Sequence, residues 1–511
     1  MFKGQPKGLI AAALANMGER FGFYIMMAIL SLFLTSKFGL EKTPATVIYS
    51  VFYALIYLLA LVGGVIADKT RNYKRTILWG LILMTIGYFL ISIPTPTPVP
   101  NLALYLTMTC GGLLVIAFGN GLFKGNLQAL VGQMYDNEKY AAKRDTGFQI
   151  FYMFINVGAL FAPLLAVGIR NWWLNVHGLE YNSDLPALCH NFLGGTITPD
   201  ATERLTTLAT EAGGAAPVDM TAFANNYLNV FNTGFHYAFG AAIIAMLISL
   251  VIYIANRKRL PDPKVKVAAA PGAKSTEIAM DAKEIRQRIY ALFSVFAVVI
   301  FFWFSFHQNG ASLTFFASDY VDLSMIDIDL GFTRIKGPEI FQSINPFFVV
   351  FLTPIIIGFF GWLNAKGKEP STPMKIAIGM GIAACGFLVM SIGSMGLPDY
   401  AVVKVMGGLT DAARVTPFLM VGTYFILTVA ELFISPLGLS FVSKVAPPQY
   451  QGVMQGCWLG TTALANQMLF IGVMLYERIP IWATWSVFVV ACVLSMFTML
   501  AMVKWLERVT R

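Results

Sequence analysis

Charge is scarce in this sequence: Asp, Glu, Lys and Arg together make up 12% of 511 residues, against 57% hydrophobic side chains. Soluble domains carry about 25% charged residues, so this chain cannot clothe an ordinary globular surface. Its mean hydropathy of +0.66 points instead to a protein that crosses a bilayer many times. Cysteine is nearly absent. Cys110, Cys385, Cys457 and Cys492 lie in apolar stretches and only Cys189 lies in a polar one, which excludes a disulfide framework. The four histidines are scattered, and neither paired catalytic carboxylates nor a nucleophile motif is present. These absences disfavour a membrane-embedded enzyme, and no metal ligands, catalytic residues or organic cofactor are expected. No cleavable signal peptide is expected either, because the first apolar run is too long and contains Glu19 and Arg20.

What is present is length in apolar runs. Stretches long enough to span lie near 9–36, 46–66, 76–94, 102–131, 147–169 and 231–255, and again near 290–317, 341–363, 374–396, 416–444, 452–476 and 480–505. They predict an all-α integral membrane protein with twelve transmembrane helices in two six-helix bundles, 1–256 and 289–511. Residues 257–288 form the linker, with Arg257, Lys258, Arg259, Lys264, Lys266, Lys274 and Lys283 around a Pro/Ala/Gly-rich centre. Lys and Arg fall in alternate loops: Lys69, Arg71, Lys74 and Arg75, then Lys139, Lys143 and Arg144, then Lys366, Lys368 and Lys375. That asymmetry predicts cytoplasmic placement for these loops, the linker and both termini. It also accounts for the net charge of +9 without nucleic acid as a partner. The stretch Asn171–Asn226 belongs outside, and it reads as a solvated, partly mobile excursion. It carries no Asn-x-Ser/Thr acceptor, consistent with a bacterial plasma membrane, the inner membrane of the cell.

A charge at the centre of a bilayer costs about 2.5–3.5 kcal/mol on insertion scales, so charges inside the spans single themselves out. Glu19 and Arg20 are adjacent within the first apolar run; helical neighbours point about 100° apart, which predicts that they do not simply neutralise each other. Lys124 sits in Gly119-Asn-Gly-Leu-Phe-Lys-Gly-Asn126, and Glu431 lies midway through Pro417–Lys444. His307-Gln308-Asn309-Gly310 interrupts the seventh run, and Gln342-Ser-Ile-Asn345-Pro346 opens the eighth. Arg20 and Lys124 come from the first half and Glu431 from the second, so a cavity between the halves has a cationic and an anionic wall. That polarity suits a short zwitterion such as a peptide. Gly119, Gly121, Pro346, Pro354 and Pro436 permit bending near helix midpoints, and close packing is the other use of such small residues.

These residues resemble a known family, the proton-coupled oligopeptide transporters of the major facilitator superfamily. Gly18-Glu-Arg-Phe-Gly-Phe-Tyr24 looks like its Glu-x-x-Glu-Arg-Phe-x-Tyr-Tyr element, and Gly63-Gly-Val-Ile-Ala-Asp68 with Lys74-Arg75 resembles the superfamily's loop between spans two and three. Phe123-Lys124-Gly-Asn126, Arg144-Asp145-Thr-Gly147 and Phe151-Tyr152-Met-Phe-Ile-Asn156-Val-Gly158 are similar to its fourth- and fifth-span signatures. Ser343-Ile-Asn345-Pro346, Glu431-Leu-Phe-Ile-Ser435-Pro436-Leu-Gly438 and Trp458 resemble its eighth-, tenth- and eleventh-span motifs.

The resemblance implies import of di- and tripeptides, coupled to protons, by alternating access. Arg20 and Lys124 would take the peptide carboxylate, and Asn156, Asn345 and Glu431 its amino end. Tyr24, Tyr57, Ser435 and Trp458 would complete the substrate site. Glu19, Arg20, Lys124, His307 and Glu431 would serve proton coupling or gating, with Glu19 carrying the first span's proton-linked function. The chain departs from the family at Asn16 and His307, each standing where the family has an acid, at Phe23, which lacks a tyrosine hydroxyl, and at Gly125, which replaces a proline. The missing acids keep open a facilitator of the same fold, or a different small zwitterionic or anionic substrate. A monomer in the lipid bilayer is expected.

Overall fold

An apolar run in hydrocarbon has to satisfy its own backbone hydrogen bonds, and a helix is the conformation that does so within a single segment. The structure, a computed structural model, describes residues 4–70, 72–135, 139–140, 144–261, 281–447 and 451–510. Arg71, Lys143 and the linker lysines Lys264, Lys266 and Lys274 lie outside the described residues. Among the described residues, 12 helices are long and apolar enough to cross a membrane.

The first six spans are Leu9–Phe38, Lys42–Thr70, Tyr73–Ser92, Leu102–Gln133, Arg144–Val176 and Met220–Asn256. The seventh is Ala282–Phe306, a 3-10 turn over His307–Gly310, and then Ser312–Tyr320; its helix starts inside the stretch expected as linker. The eighth runs from a 3-10 turn, Pro338–Ser343, into Ile344–Ala365. The ninth is Thr372–Gly393 and the tenth Phe418–Val445; the eleventh is divided into Gln451–Gln467 and Leu469–Arg478, and the twelfth is Ile481–Thr510. An even number of crossings leaves both chain ends on one face, called here the terminal face.

Buried apolar side chains gather into two clusters, one drawn from Leu9 to Leu260 with Leu469 added, the other from Ala291 to Leu506. In the first cluster glycines bring backbones together: Gly63 on the second span lies against Gly121, and Gly80 on the third against Gly119. Gly119 and Gly121 therefore serve close helix approach, which in lipid is the main source of helix association.

The stretch Asn171–Asn226 is not the solvated excursion expected from its acidic residues. It holds two helices, Leu185–Leu193 and Pro199–Gly213, which form a cap on the face opposite the termini. Ala201, Leu205, Leu208, Ala209 and Ala212 are buried along the second of these, a helical stripe that the polar residues between them conceal in a composition count. Thr198 caps its N-terminus by accepting from the Ala201 N–H, Pro199 follows, and Gly214 ends it at φ 71°. The cap touches both halves. His190 Nε2 lies 2.6 Å from the Ser36 carbonyl, while Thr198 Oγ1 donates to Val405 O at 2.6 Å and Arg204 Nη2 to Leu409 O at 2.9 Å. Gly408, at φ 113°, backs onto the Asp184 carboxylate, where any side chain would collide. Arg414 Nη2 pairs with Asp184 Oδ2 at 2.7 Å. Burial pushes the Asp184 carboxyl up, and the Arg414 guanidinium only partly offsets it.

A packed cap makes a specific prediction. Leu205→Ala removes a fully buried side chain and should weaken the cap by about 2–5 kcal/mol. Amide hydrogen exchange over residues 185–213 should accelerate while exchange in the spans is unchanged; equal exchange in parent and variant would mean that the cap is not packed.

Candidate functional site

The first span carries Glu19 and Arg20 into the interior, where they are 1% and 4% exposed. Contrary to the expectation from helical direction, the two neutralise each other directly. Arg20 Nε donates to Glu19 Oε2 and Arg20 Nη2 to Glu19 Oε1, both at 2.6 Å. The 100° separation governs where the side chains start; the long arginine stem then swings its planar fork back onto the carboxylate, a bidentate geometry that lysine could not supply. A third donor comes from the fourth span: Asn120 Nδ2 reaches Glu19 Oε1 at 2.6 Å. Asn120 stands four residues before Lys124, yet nothing in its local sequence marks it as a carboxylate ligand. The Arg20 guanidinium also lies 4.4 Å from the centre of the Phe23 ring, so the phenyl that replaces a family tyrosine still supplies a cation–π face.

Lys124 and Glu431 are placed differently. The Lys124 ammonium lies 4.4 Å from the centre of the Tyr57 ring and has no carboxylate partner among the described residues. Glu431 Oε2 accepts from Asn345 Nδ2 at 2.9 Å, Asn345 also reaches Thr428 Oγ1 at 3.0 Å, and no cation pairs with Glu431 among the described residues. The two walls converge on tyrosines of the first half. Tyr24 and Tyr57 each lie in the electrostatic field of both Arg20 and Glu431. Tyr152, exposed and also within the field of Glu431, stands one turn before Asn156, whose Nδ2 donates to the Tyr152 carbonyl at 3.1 Å. Arg20, Tyr24, Tyr57, Lys124 and Asn156 thus come from spans of the first half, and Asn345 and Glu431 from spans of the second. Ser435 follows Glu431 by one helical turn and is half-buried. Trp458 is held in the second cluster against Gly438, with its ring 6.0 Å from that of Phe296, so its position is set by packing onto the tenth span.

His307 lies in the break of the seventh span and is buried. Its Nδ1 pairs with Asn466 Oδ1, its ring stacks 5.1 Å from Trp303 and lies tilted 5.3 Å from Tyr53, and it stands in the field of Lys124. Gln308 Nε2 reaches back to Phe304 O at 3.2 Å and across to Leu469 O at 3.5 Å. The breaks in the seventh and eleventh spans therefore face each other and share side chains, as interrupted helices in membranes require. The run 452–476 reads as one span by overall hydropathy, and the polar pair Asn466-Gln467, immediately before the break at Met468, is the local signal that marks it.

On the cap face the halves are joined. Arg170 pairs with Glu339, both side chains having no exposure, and the Arg170 guanidinium stands 4.1 Å from the Tyr181 ring. Asn171 Nδ2 donates to Arg334 O at 2.7 Å and Lys336 O at 2.9 Å, and Ser31 Oγ to Gly310 O at 2.9 Å. Lys42 pairs with Asp319, which also accepts from the Tyr476 hydroxyl at 2.6 Å. Chemically these residues bring charge of both signs into the interior, and among the described residues no nucleophile is aligned with a base. Among the described residues no group of His, Cys, Asp and Glu is arranged to hold a metal ion.

Comparisons with known proteins agree on one family. The model of the POT family, PTR2, matches residues 74–269 and 263–484. The peptide transporter YePEPT of Yersinia enterocolitica is 29% identical over 479 residues, spanning 91% of this chain and 87% of that protein. Dipeptide and tripeptide permease B of Xenorhabdus bovienii is 27% identical and spans 99% and 97%. Among solved structures, a mutant of the peptide transporter POT in complex with sulfate superposes with a TM-score of 0.72 at 23% identity, covering 100% of this chain and 96% of that one. On the family match, which spans well over half of its length, the chain belongs to the POT family of proton-coupled oligopeptide transporters, and is a transporter of the major facilitator fold and not an enzyme.

Proposed function

We propose that this chain imports di- and tripeptides together with protons, across a bacterial inner membrane, with both termini in the cytoplasm. One observation carries the reading: Lys124 on one wall and Glu431 on the other are charges without counter-ions among the described residues, while Glu19 and Arg20 are paired. An uncompensated charge in a low-dielectric site is costly, so its retention is explained by a ligand that supplies the missing partner at each end. A short peptide does this with its carboxylate toward Lys124 and Arg20 and its ammonium toward Glu431, Asn345 and Asn156. Tyr24, Tyr57, Ser435 and Trp458 complete the surround. The relatives named as peptide transporter and as dipeptide and tripeptide permease support the same substrate class.

Glu19 is the proton-linked group of the first span: neutralising it removes the charge that holds Arg20 and frees the guanidinium for the incoming carboxylate. Lys124 and His307, which share an electrostatic field, belong to the gate. The halves 1–256 and 289–511 act as two bundles that rock about the site, and the joined cap face fits a site that opens toward the cytoplasm. The coupling ion is the proton, no further cofactor is required, and a single chain encloses a whole site.

Reconstitution tests this. Labelled dipeptide should enter liposomes and accumulate under an inward proton gradient. Lys124→Gln and Glu431→Gln should each lower uptake about tenfold or more, the value of a hydrogen bond to a charged group. Normal uptake by both variants would remove the two-walled site. Glu19→Gln should still exchange labelled for unlabelled peptide across the membrane but no longer accumulate it against a gradient. If the parent itself transports peptide without responding to the gradient, the protein is a facilitator.

A further inference from the structure

The ionised Glu19 carboxylate holds three donors, two of them on one oxygen. Both oxygens take an N–H of Arg20, and Oε1 also takes Asn120 Nδ2, each at 2.6 Å. A proton arriving on Oε1 would meet two donors and no acceptor, so proton uptake at that oxygen needs a local rearrangement. Asn120 has the means for it. It has no solvent exposure, its second amide hydrogen has only the Met84 sulfur at 3.8 Å, and its Oδ1 has no hydrogen-bond partner among the described residues. A buried carbonyl oxygen without a partner is costly, and here it belongs to the same planar group that donates to Glu19. Rotation of the amide by half a turn exchanges donor for acceptor in nearly the same volume.

We propose that Asn120 is a two-state positioning residue for proton coupling: its amide nitrogen donates to ionised Glu19, and after a half-turn its carbonyl oxygen accepts the O–H of protonated Glu19. The inference rests on the reading of Glu19 as the proton-linked group. In the ionised state Glu19 holds Arg20. When a solvent proton binds Oε1, Asn120 turns, the O–H donates to Oδ1, and the Arg20 fork separates to meet the substrate carboxylate. Loss of the proton reverses each step. The other charged or titratable groups acting on Glu19 are Tyr24 on the same helix, Tyr88 on the third span and Lys124 on the fourth. The sixth span presents Ala245 and Ser249 against Gly18 and Ala242 and Met246 against Gly22, and the fifth lays Gly158 against Met17 and Phe21, none of them titratable. Among the described residues Asn120 is thus the uncharged side chain hydrogen-bonded to Glu19, and its amide is able to serve both protonation states.

The test separates this role from that of Glu19. Asn120→Leu, of similar size, and Asn120→Ala remove both hydrogen-bonding functions; Asn120→Thr keeps a group that donates and accepts. Each variant is reconstituted, and two quantities are read: peptide exchange without a gradient, which requires a folded site but no net proton movement, and proton-driven accumulation across a series of external pH values. The expected result is exchange within about threefold of the parent for the leucine and alanine variants, accumulation reduced about tenfold with a flattened pH profile, and substantial recovery of both in the threonine variant. Whichever apolar variant inserts suffices. Parental accumulation and pH profile in an apolar variant would overturn the proposal, as would a threonine variant impaired as deeply as the apolar ones. Glu19→Gln run alongside distinguishes the causes: if it keeps the parent's gradient response, the reading of Glu19 has failed, whereas a defective Glu19→Gln beside a normal Asn120→Leu refutes the role of Asn120 alone.

Discussion

A charge in hydrocarbon has to be partnered, and the interior of this protein divides its few charges according to whether they are. Glu19 and Arg20 form a closed pair, completed by Asn120. Lys124 and Glu431 stand in opposite halves with neutral neighbours, a tyrosine ring in one case and an asparagine amide in the other. On the proposed function the division is a functional asymmetry. A closed pair would store charge that a proton releases, while the open pair would await a ligand carrying both signs. Binding and proton uptake would then couple through Arg20, which would leave the first arrangement to join the second.

The same constraint shapes the gates. Arg170 and Glu339 are buried, and breaking such a pair without replacement costs about 3–5 kcal/mol. Lys42 with Asp319, Asn171 with the backbone of Arg334 and Lys336, and the cap with the Val405–Arg414 region add to the closure. Interconversion between two access states requires that they differ by only a few kcal/mol. An outward-opening state therefore has to hydrate these groups or find comparable contacts on the terminal face. The breaks in the seventh and eleventh spans face each other near the centre, where His307 pairs with Asn466 and Gln308 reaches the Phe304 and Leu469 carbonyls in place of a continuous helix.

The cap illustrates why a local reading of polarity fails. Glu180, Asp184, Asp200, Glu203, Glu211 and Asp219 suggest a solvated loop, yet Leu205, Leu208 and Ala212 lie on one helical face and pack. Thr198-Pro199 and Gly214 were legible boundary signals, but an amphipathic helix of this length is stable only against a surface, and that surface is the first half's apolar cluster, which takes in Leu205, Leu208 and Ala212, with Gly407 of the second half against Ala201. Asn120 is a similar case: a polar residue in an apolar run is visible, but its partner lies 101 positions away.

Hydropathy accumulates residue by residue along the chain, so the sequence by itself determined the membrane class, the twelve crossings, and which half contributes cationic and which anionic groups to the interior. The motifs around Glu19-Arg20, Lys124, Asn156, Asn345 and Glu431 likewise carried the family. Only the tertiary structure decided which charges pair. The rotation of a long arginine side chain, the reach of Asn120 on the fourth span to Glu19 on the first, and the docking of the cap are distances in space, and no local pattern encodes them.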